Sequence, residues 1–150
     1  MRRGAPIVLI EDSRDDAFFV RRALEKARIA NPIIVFQSAT QGRQHLDEPN
    51  RVDCPALFIL DVNLVGGETG VDFLRWLRQQ PAPLGTTPTM MLTGSTRPED
   101  RTEAELLGSV YFLLKPVSAD TVTSAVQSLG FVVSNLRSDF TMQRTIERRL

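Results

Sequence analysis

Five short apolar runs punctuate the chain: Ile7-Val8-Leu9-Ile10, Ile33-Ile34-Val35-Phe36, Leu57-Phe58-Ile59-Leu60, Thr89-Met90-Met91-Leu92 and Val110-Tyr111-Phe112-Leu113-Leu114. Each is unbroken rather than alternating, the pattern of parallel strands covered on both faces. Between them, apolar residues recur at three- and four-residue steps, the period of a helix with one buried stripe. Ser13 is placed to cap a helix running to about Ala27, with Ala17, Val20, Leu24 and Ala27 on one face. A shorter helix spans about Thr40 to Leu46, and Thr69 caps a third in which Val71, Leu74 and Leu77 share a stripe. Pro98 suits the first turn of a fourth that ends near Gly108. In the fifth, Val122, Ala125, Val126, Leu129, Val132, Val133 and Leu136 keep the helical step.

Strands alternating with helices predict an α/β fold, a parallel sheet built from right-handed crossovers with helices on both faces. No repeat, low-complexity stretch or internal linker interrupts it. The composition shifts only after Leu136, where the chain turns polar and arginine-rich. Residues 1–136 therefore read as one domain and 137–150 as a C-terminal extension. Met142, Ile146 and Leu150 fall at four-residue steps, with Arg144, Arg148 and Arg149 among them. That spacing fits either a solvated end or a helix that prolongs the fifth one and packs on a partner subunit.

Composition narrows the function by exclusion. The 150 residues are 42% apolar with zero formal net charge, so nothing across the chain draws it to nucleic acid or anionic lipid. No local basic motif for DNA is present either. Cys54 stands alone, which rules out an internal disulfide and a cysteine-rich metal site. His45, the single histidine, lies in a polar helix, so histidine triads and histidine metal sites are out. The apolar stretch after Met1-Arg2-Arg3 stops at Glu11, too short for a secretion signal or a membrane span, and a cytoplasmic protein is the expectation. No glycine-rich phosphate loop follows the first run, so nucleotide and flavin binding lack support.

The ends of the runs carry the chemistry. In an open α/β sheet, ligands bind beyond the carboxyl ends of the strands. There the first run gives Glu11-Asp12, the third Asp61, the fourth Thr93-Gly94-Ser95 and the fifth Lys115-Pro116. Only the second, ending in Gln37-Ser38, offers nothing obvious. Three carboxylates in one cleft repel each other and are costly to desolvate, so a cation must offset them. A hard divalent ion with oxygen ligands and several waters points to magnesium rather than calcium. Lys115 is one of two lysines against sixteen arginines and adds a second cation. Metal, ammonium and hydroxyl around one aspartate make an electrophilic site for a phosphoryl group, which the aspartate can attack. Taken singly, a helix cap, a strand end, a turn threonine and a surface lysine would account for each residue; local roles do not select three acids, a hydroxyl and a lysine at one edge.

In this order and on these strands, Ile10-Glu11-Asp12-Ser13, Leu60-Asp61-Val62-Asn63-Leu64, Leu92-Thr93-Gly94 and Leu114-Lys115-Pro116 resemble the receiver domain of two-component response regulators. The resemblance covers about residues 6–136. It implies a doubly wound, flavodoxin-like five-stranded sheet of order 2-1-3-4-5, with Asp61 accepting a phosphoryl group from a sensor histidine kinase. It implies Mg2+ bound by Asp12, Asp61 and the Asn63 main-chain carbonyl, with Glu11 acting through water. Thr93 would hydrogen-bond the phosphoryl group and Lys115 would pair with it. Phe112 falls at the family's switch aromatic, although core packing explains it equally well. The Lys115-Pro116 bond resembles the family's cis peptide. Asn63 and Ser95 stand where the family tunes phosphate lifetime. Two features depart from the family: Val65 replaces a usual proline, and Val65-Gly66-Gly67-Glu68-Thr69-Gly70 is one residue longer than usual.

With no room after the fifth helix for an output domain, the resemblance is to single-domain regulators that act by protein contact or phosphorelay. Some accompany phytochrome-type photoreceptor kinases, and Ser13-Arg14-Asp15-Asp16 and the C-terminal extension are similar to theirs. A homodimer through the face of helix four, strand five and helix five, or through the extension, is a further expectation. Two other functions compete. An aspartyl-phosphate phosphohydrolase would want an acid two residues past the nucleophile, where this chain has Asn63. A receiver-like interaction module that never takes phosphate would have no use for so costly an acid cluster, but the altered loop after Asp61 keeps that alternative open.

Overall fold

The five apolar runs are five parallel strands. In the computed structural model, β1 (Ile7–Ile10), β2 (Ile33–Phe36), β3 (Leu57–Asp61), β4 (Thr89–Thr93) and β5 (Val110–Leu114) form one sheet of order β2-β1-β3-β4-β5. The structure describes residues 4–48, 54–64, 66–94, 98–108, 110–132 and 143–144. β1 and β3 are buried along their whole length, as unbroken hydrophobicity requires, while the outer strands β2 and β5 are mostly half-buried.

Alternate residues of each strand feed two separate cores. Ile7, Leu9, Leu57, Ile59, Met90 and Leu92 pack against α1 (Arg14–Lys26) and α5 (Ala119–Ser128). Val8, Ile10, Phe58, Leu60 and Met91 pack against α2 (Ala39–Leu46), α3 (Gly70–Arg78) and α4 (Pro98–Leu107). Burial on both faces leaves one register available, because a one-residue slip would exchange the two sets. That register pairs Ile10 with Leu60, Asp61 with Leu92 and Thr93 with Leu114, so the strand ends finish at one edge.

Capping starts the helices where the sequence indicates. The Ser13 hydroxyl accepts the Asp16 amide at 3.2 Å. Thr69 and Asp72 form a reciprocal capping box, each side chain accepting the other's amide. Pro98 opens α4, and Gly108, with φ of 82°, follows its end. Arg78, in the last turn of α3, donates to the carbonyls of Gly85, Thr87 and Gly108 and to the Thr89 hydroxyl. One guanidinium thereby ties α3 to the start of β4 and to the turn that feeds β5.

The C-terminal end differs from the expectation. α5 stops at Ser128 instead of running to Leu136. Gly130 takes a φ of 91°, and the chain turns into a short strand, β6 (Phe131–Val132), antiparallel to β7 (Gln143–Arg144). The helical spacing continued across a residue well suited to ending a helix. Phe131 then turns back into the α1–α5 core and is buried. β7 falls inside the segment whose four-residue spacing suggested a helix, so that helix does not form at residues 143–144. Val133, Leu136, Met142, Ile146 and Leu150 lie outside the described residues.

Gly70, the first residue of α3, fixes how closely this helix approaches the sheet edge. A Cβ there would sit 2.2 Å from the Asp61 carbonyl oxygen and 3.2 Å from Val62 Cα, both backbone atoms that cannot step aside. Gly70→Ala is expected to lower stability by about 2–3 kcal/mol, as overpacking in a tight core does. Urea denaturation checks this, and an unchanged midpoint would show that α3 can back away.

Candidate functional site

Each strand end delivers one part of the site. Glu11 follows β1, its amide bonded to the Phe36 carbonyl at 3.0 Å, and its carboxyl side chain is fully enclosed. Asp61 is the last residue of β3 and is also buried. Thr93 ends β4, and its carbonyl accepts the Lys115 amide at 2.9 Å, which locks the start of the β5–α5 connection to β4. The Lys115-Pro116 peptide is cis, as the resemblance implies.

The Glu11 and Asp61 side chains meet at the Lys115 ammonium. It donates to Glu11 Oε2 at 3.0 Å, Asp61 Oδ2 at 3.0 Å and Asp16 Oδ2 at 2.8 Å. An ammonium has three N–H donors, and three carboxylates use them. The other oxygens of the two buried acids are held by the backbone. Glu11 Oε1 accepts the Ser13 amide at 3.1 Å, and Asp61 Oδ1 accepts the Asn63 amide at 3.0 Å. Beyond Asp61, Glu68 ion-pairs with Arg43 of α2, tethering the connection to α3.

Protonation follows from this crowding. Burial, then a hydrogen bond shared with Asp61, raises the Glu11 carboxyl from 4.5 to about 7, against the lowering pull of the Ser13 amide and Lys115. Burial alone would lower Lys115, but its bonds to Asp16, Asp61 and Glu11 outweigh that and hold it firmly protonated, above its usual range. The site is thus a cation fixed among acids that cannot all ionise comfortably.

The response regulator receiver domain profile matches residues 7–127. The chain belongs to that family. Three solved response regulators are similar over most of their length. The bacteriophytochrome response regulator RtBRR is 27% identical, with a TM-score of 0.78, covering 92% of this chain and 84% of its own. The bacteriophytochrome response regulator AtBRR is 28% identical, with a TM-score of 0.72, covering 87% and 97%. Response regulator Rcp1, solved in an Mn(2+)-bound form, is 25% identical with a TM-score of 0.67, covering 84% and 91%. No curated protein matches the chain.

Receiver domains are regulatory domains of two-component signalling that bind Mg2+ at an acidic pocket. This receiver has an acidic cluster at the same edge of the sheet. Glu11, Asp12 and Asp61 each offer a carboxylate oxygen, all within 4.8 Å of one another. Oxygens around Mg2+ at about 2.0–2.1 Å lie roughly 3–4 Å apart, so the donor set has the right chemistry and spread for a hard cation. Of the residues named from the sequence, the structure brings Glu11, Asp61 and Lys115 into direct contact, with Asp12 beside the two acids. Thr93 is at the same edge, and Asn63 touches Asp61 through its amide. Phe112 sits apart, half-buried in mid-strand against the α2–α4 core, with the Arg101 guanidinium 5.1 Å above its ring. Ser95 and Val65 lie outside the described residues. His45 packs on Phe36 and takes no part in the site.

Asp16 and Gly70 were missed in the sequence. Asp16 stands three residues after Ser13, a spacing that a capping box would also explain, and nothing in the sequence points to its long-range partner. Gly70 is legible only once α3 is docked.

Glu11 gives the receiver a pH dependence of defined sign. Its folded pKa exceeds the unfolded value, so between about pH 4.5 and 7 the folded chain binds the extra proton and stability falls as pH rises. In the presence of a chelator, the wild type is expected to lose on the order of 2 kcal/mol relative to Glu11→Gln between pH 5 and 8. Parallel urea titrations measure the difference, and identical pH slopes would refute it.

Proposed function

We propose that this receiver is a phosphorylation switch in which Asp61 accepts a phosphoryl group from a sensor histidine kinase and passes the signal on by protein contact or phosphorelay. The convergence of Lys115, Glu11 and Asp61 at hydrogen-bond distance, beside an acidic set fit for a divalent ion, carries this reading. An Asp61 oxygen attacks phosphorus, the bond from phosphorus to the donor nitrogen breaks, and the departing imidazole keeps that electron pair. Bound Mg2+ supplies positive charge for the phosphoryl oxygens. Lys115 turns the N–H now given to Asp61 toward a phosphoryl oxygen, and Thr93 donates its hydroxyl to another. Asp12, Asp61 and the Asn63 main-chain carbonyl would hold the ion, and Glu11 would act on it through water.

Phosphorylation adds up to two negative charges and three acceptor oxygens. Thr93 moving toward them makes room for Phe112 to turn inward, out from under Arg101, which alters the α4–β5 surface. This is a shift between two packings of one fold. Against the phosphohydrolase reading, residue 63 is an amide, so no acid stands two places beyond Asp61 to protonate a leaving group. Similarity to bacteriophytochrome response regulators supports a photoreceptor histidine kinase as the donor.

Incubation with Mg2+ and acetyl phosphate, followed by intact-protein mass, tests the acceptor. One added phosphoryl group is expected on the wild type and none on Asp61→Asn. A pure interaction module would show none on either. Steady multi-turnover release from a phosphate ester would favour the phosphohydrolase.

A homodimer through the α4–β5–α5 face is the second part of the reading. Leu106 on α4 and Leu114 at the end of β5 are 84% and 56% exposed, apolar area that a partner would cover. Light scattering is expected to show a dimer that Leu106→Glu with Leu114→Glu turns into a monomer. A monomeric wild type, or a variant that still dimerises, counts against this face.

A further inference from the structure

The acid that contacts Lys115 most closely is neither on a strand end nor in the metal set. Asp16 belongs to the first turn of α1, and its carboxylate lies 2.8 Å from the Lys115 ammonium. Glu11 and Asp61, the other two partners of that ammonium, are also two of the three acids grouped around the cation position. A metal held by that set would therefore draw on the same two carboxylates as the lysine. Asp16 is the partner Lys115 does not share.

Local geometry commits Asp16 to this task. In α3, Asp72 at the third helical position turns back and accepts the amide of its cap, Thr69. Asp16 holds the equivalent position in α1, and the Ser13 hydroxyl caps its amide in the same way. The reciprocal bond is not made, because the Ser13 amide goes to Glu11 Oε1. The Asp16 carboxylate reaches across to Lys115 instead. A cavity of about 260 Å³ lined by Asp16, Phe19, Val20, Lys115, Pro116 and Val117 lies beside the pair. It leaves the lysine stem room to lean toward α1.

We infer that Asp16 is a positioning residue that holds Lys115 on the α1 side and so releases Glu11 and Asp61 to a divalent cation. This rests on the reading of the acidic set as a Mg2+ site. Without the Asp16 carboxylate, the ammonium depends wholly on Glu11 and Asp61 and competes with the ion for them.

Calorimetric Mg2+ titration of the intact chain tests this in a double-mutant cycle. Asp16→Asn is expected to weaken Mg2+ binding roughly three- to tenfold, the size of coupling typical within one charge network. In a Lys115→Ala background the same substitution should change the affinity less than twofold, because the competitor is gone. Asp15→Asn removes a charge from the same helical turn without touching Lys115, and it should leave the affinity unchanged. Thermal melting confirms that each variant is folded, and Asp16→Ala repeats the measurement should the asparagine variant unfold. An equal loss in both backgrounds would mean that Asp16 acts on the ion directly and would overturn the inference. An unchanged affinity in Asp16→Asn with the wild type binding normally overturns it while leaving the metal site standing. Failure of the wild type to bind Mg2+ overturns both.

Discussion

The interaction on which the site depends is a single ammonium shared by acids from three parts of the chain. Glu11 follows β1, Asp61 ends β3 and Asp16 lies in α1, so Lys115 joins segments up to 104 residues apart in sequence. Two of these acids are buried, and an unpaired carboxylate there would be costly to desolvate. Lys115 is tolerated among them for the same reason in reverse: its own burial is offset by three bonds to carboxylates. Each group makes the others' burial possible, and loss of the lysine would leave a cluster of one sign.

Such a cluster holds only if the backbone beneath it does not yield. The sheet supplies that rigidity by being buried on both faces, which ties the register of β1, β3, β4 and β5 to two hydrophobic cores at once. Gly70 brings the start of α3 against the Asp61 carbonyl, and the Thr93 carbonyl bonds the Lys115 amide from the other side. The chemistry is therefore set by packing that lies well beneath it. Even the Arg78 bonds, remote from the site, act on the site's framework by fixing the approach to β4 and β5.

The strands were legible because unbroken apolar runs have one economical explanation in an α/β chain, and the strand ends carried the acids and the lysine in plain view. What escaped was of two kinds. Asp16 had a sufficient local explanation as a helix-start residue, and nothing in the sequence shows that the Ser13 amide is already taken by Glu11. The end of α5 escaped because hydrophobic spacing measures which residues can share a face, not whether the backbone continues. Gly130 ended the helix, and Phe131 found a buried place by turning back into the core instead of continuing the helical stripe. Phe112 stays between the two cases. Its half-burial beneath Arg101 was not readable from a strand pattern, since side chains of equal hydrophobicity occupy inner and outer positions of an edge strand alike.

The resting site also bears on how a phosphoryl group would act. Lys115 is not waiting unpaired for an anion; all three of its donors are engaged. An incoming phosphoryl group would therefore exchange one carboxylate partner for a phosphate oxygen and would not create a new ion pair from nothing. The free energy available for switching would be the difference between two arrangements of buried charge, in both of which pairing offsets desolvation, and so smaller than either taken alone. A small difference of this kind suits a domain that shifts population between two packings of one fold, because it moves the balance without committing the chain irreversibly. Asp16 and Glu11, which hold the lysine in the resting site, would set the size of that difference. Lys115 contacts three acids, one more than it shares with the candidate metal set, and in the proposed switch that extra partner would matter as much as it does to the fold.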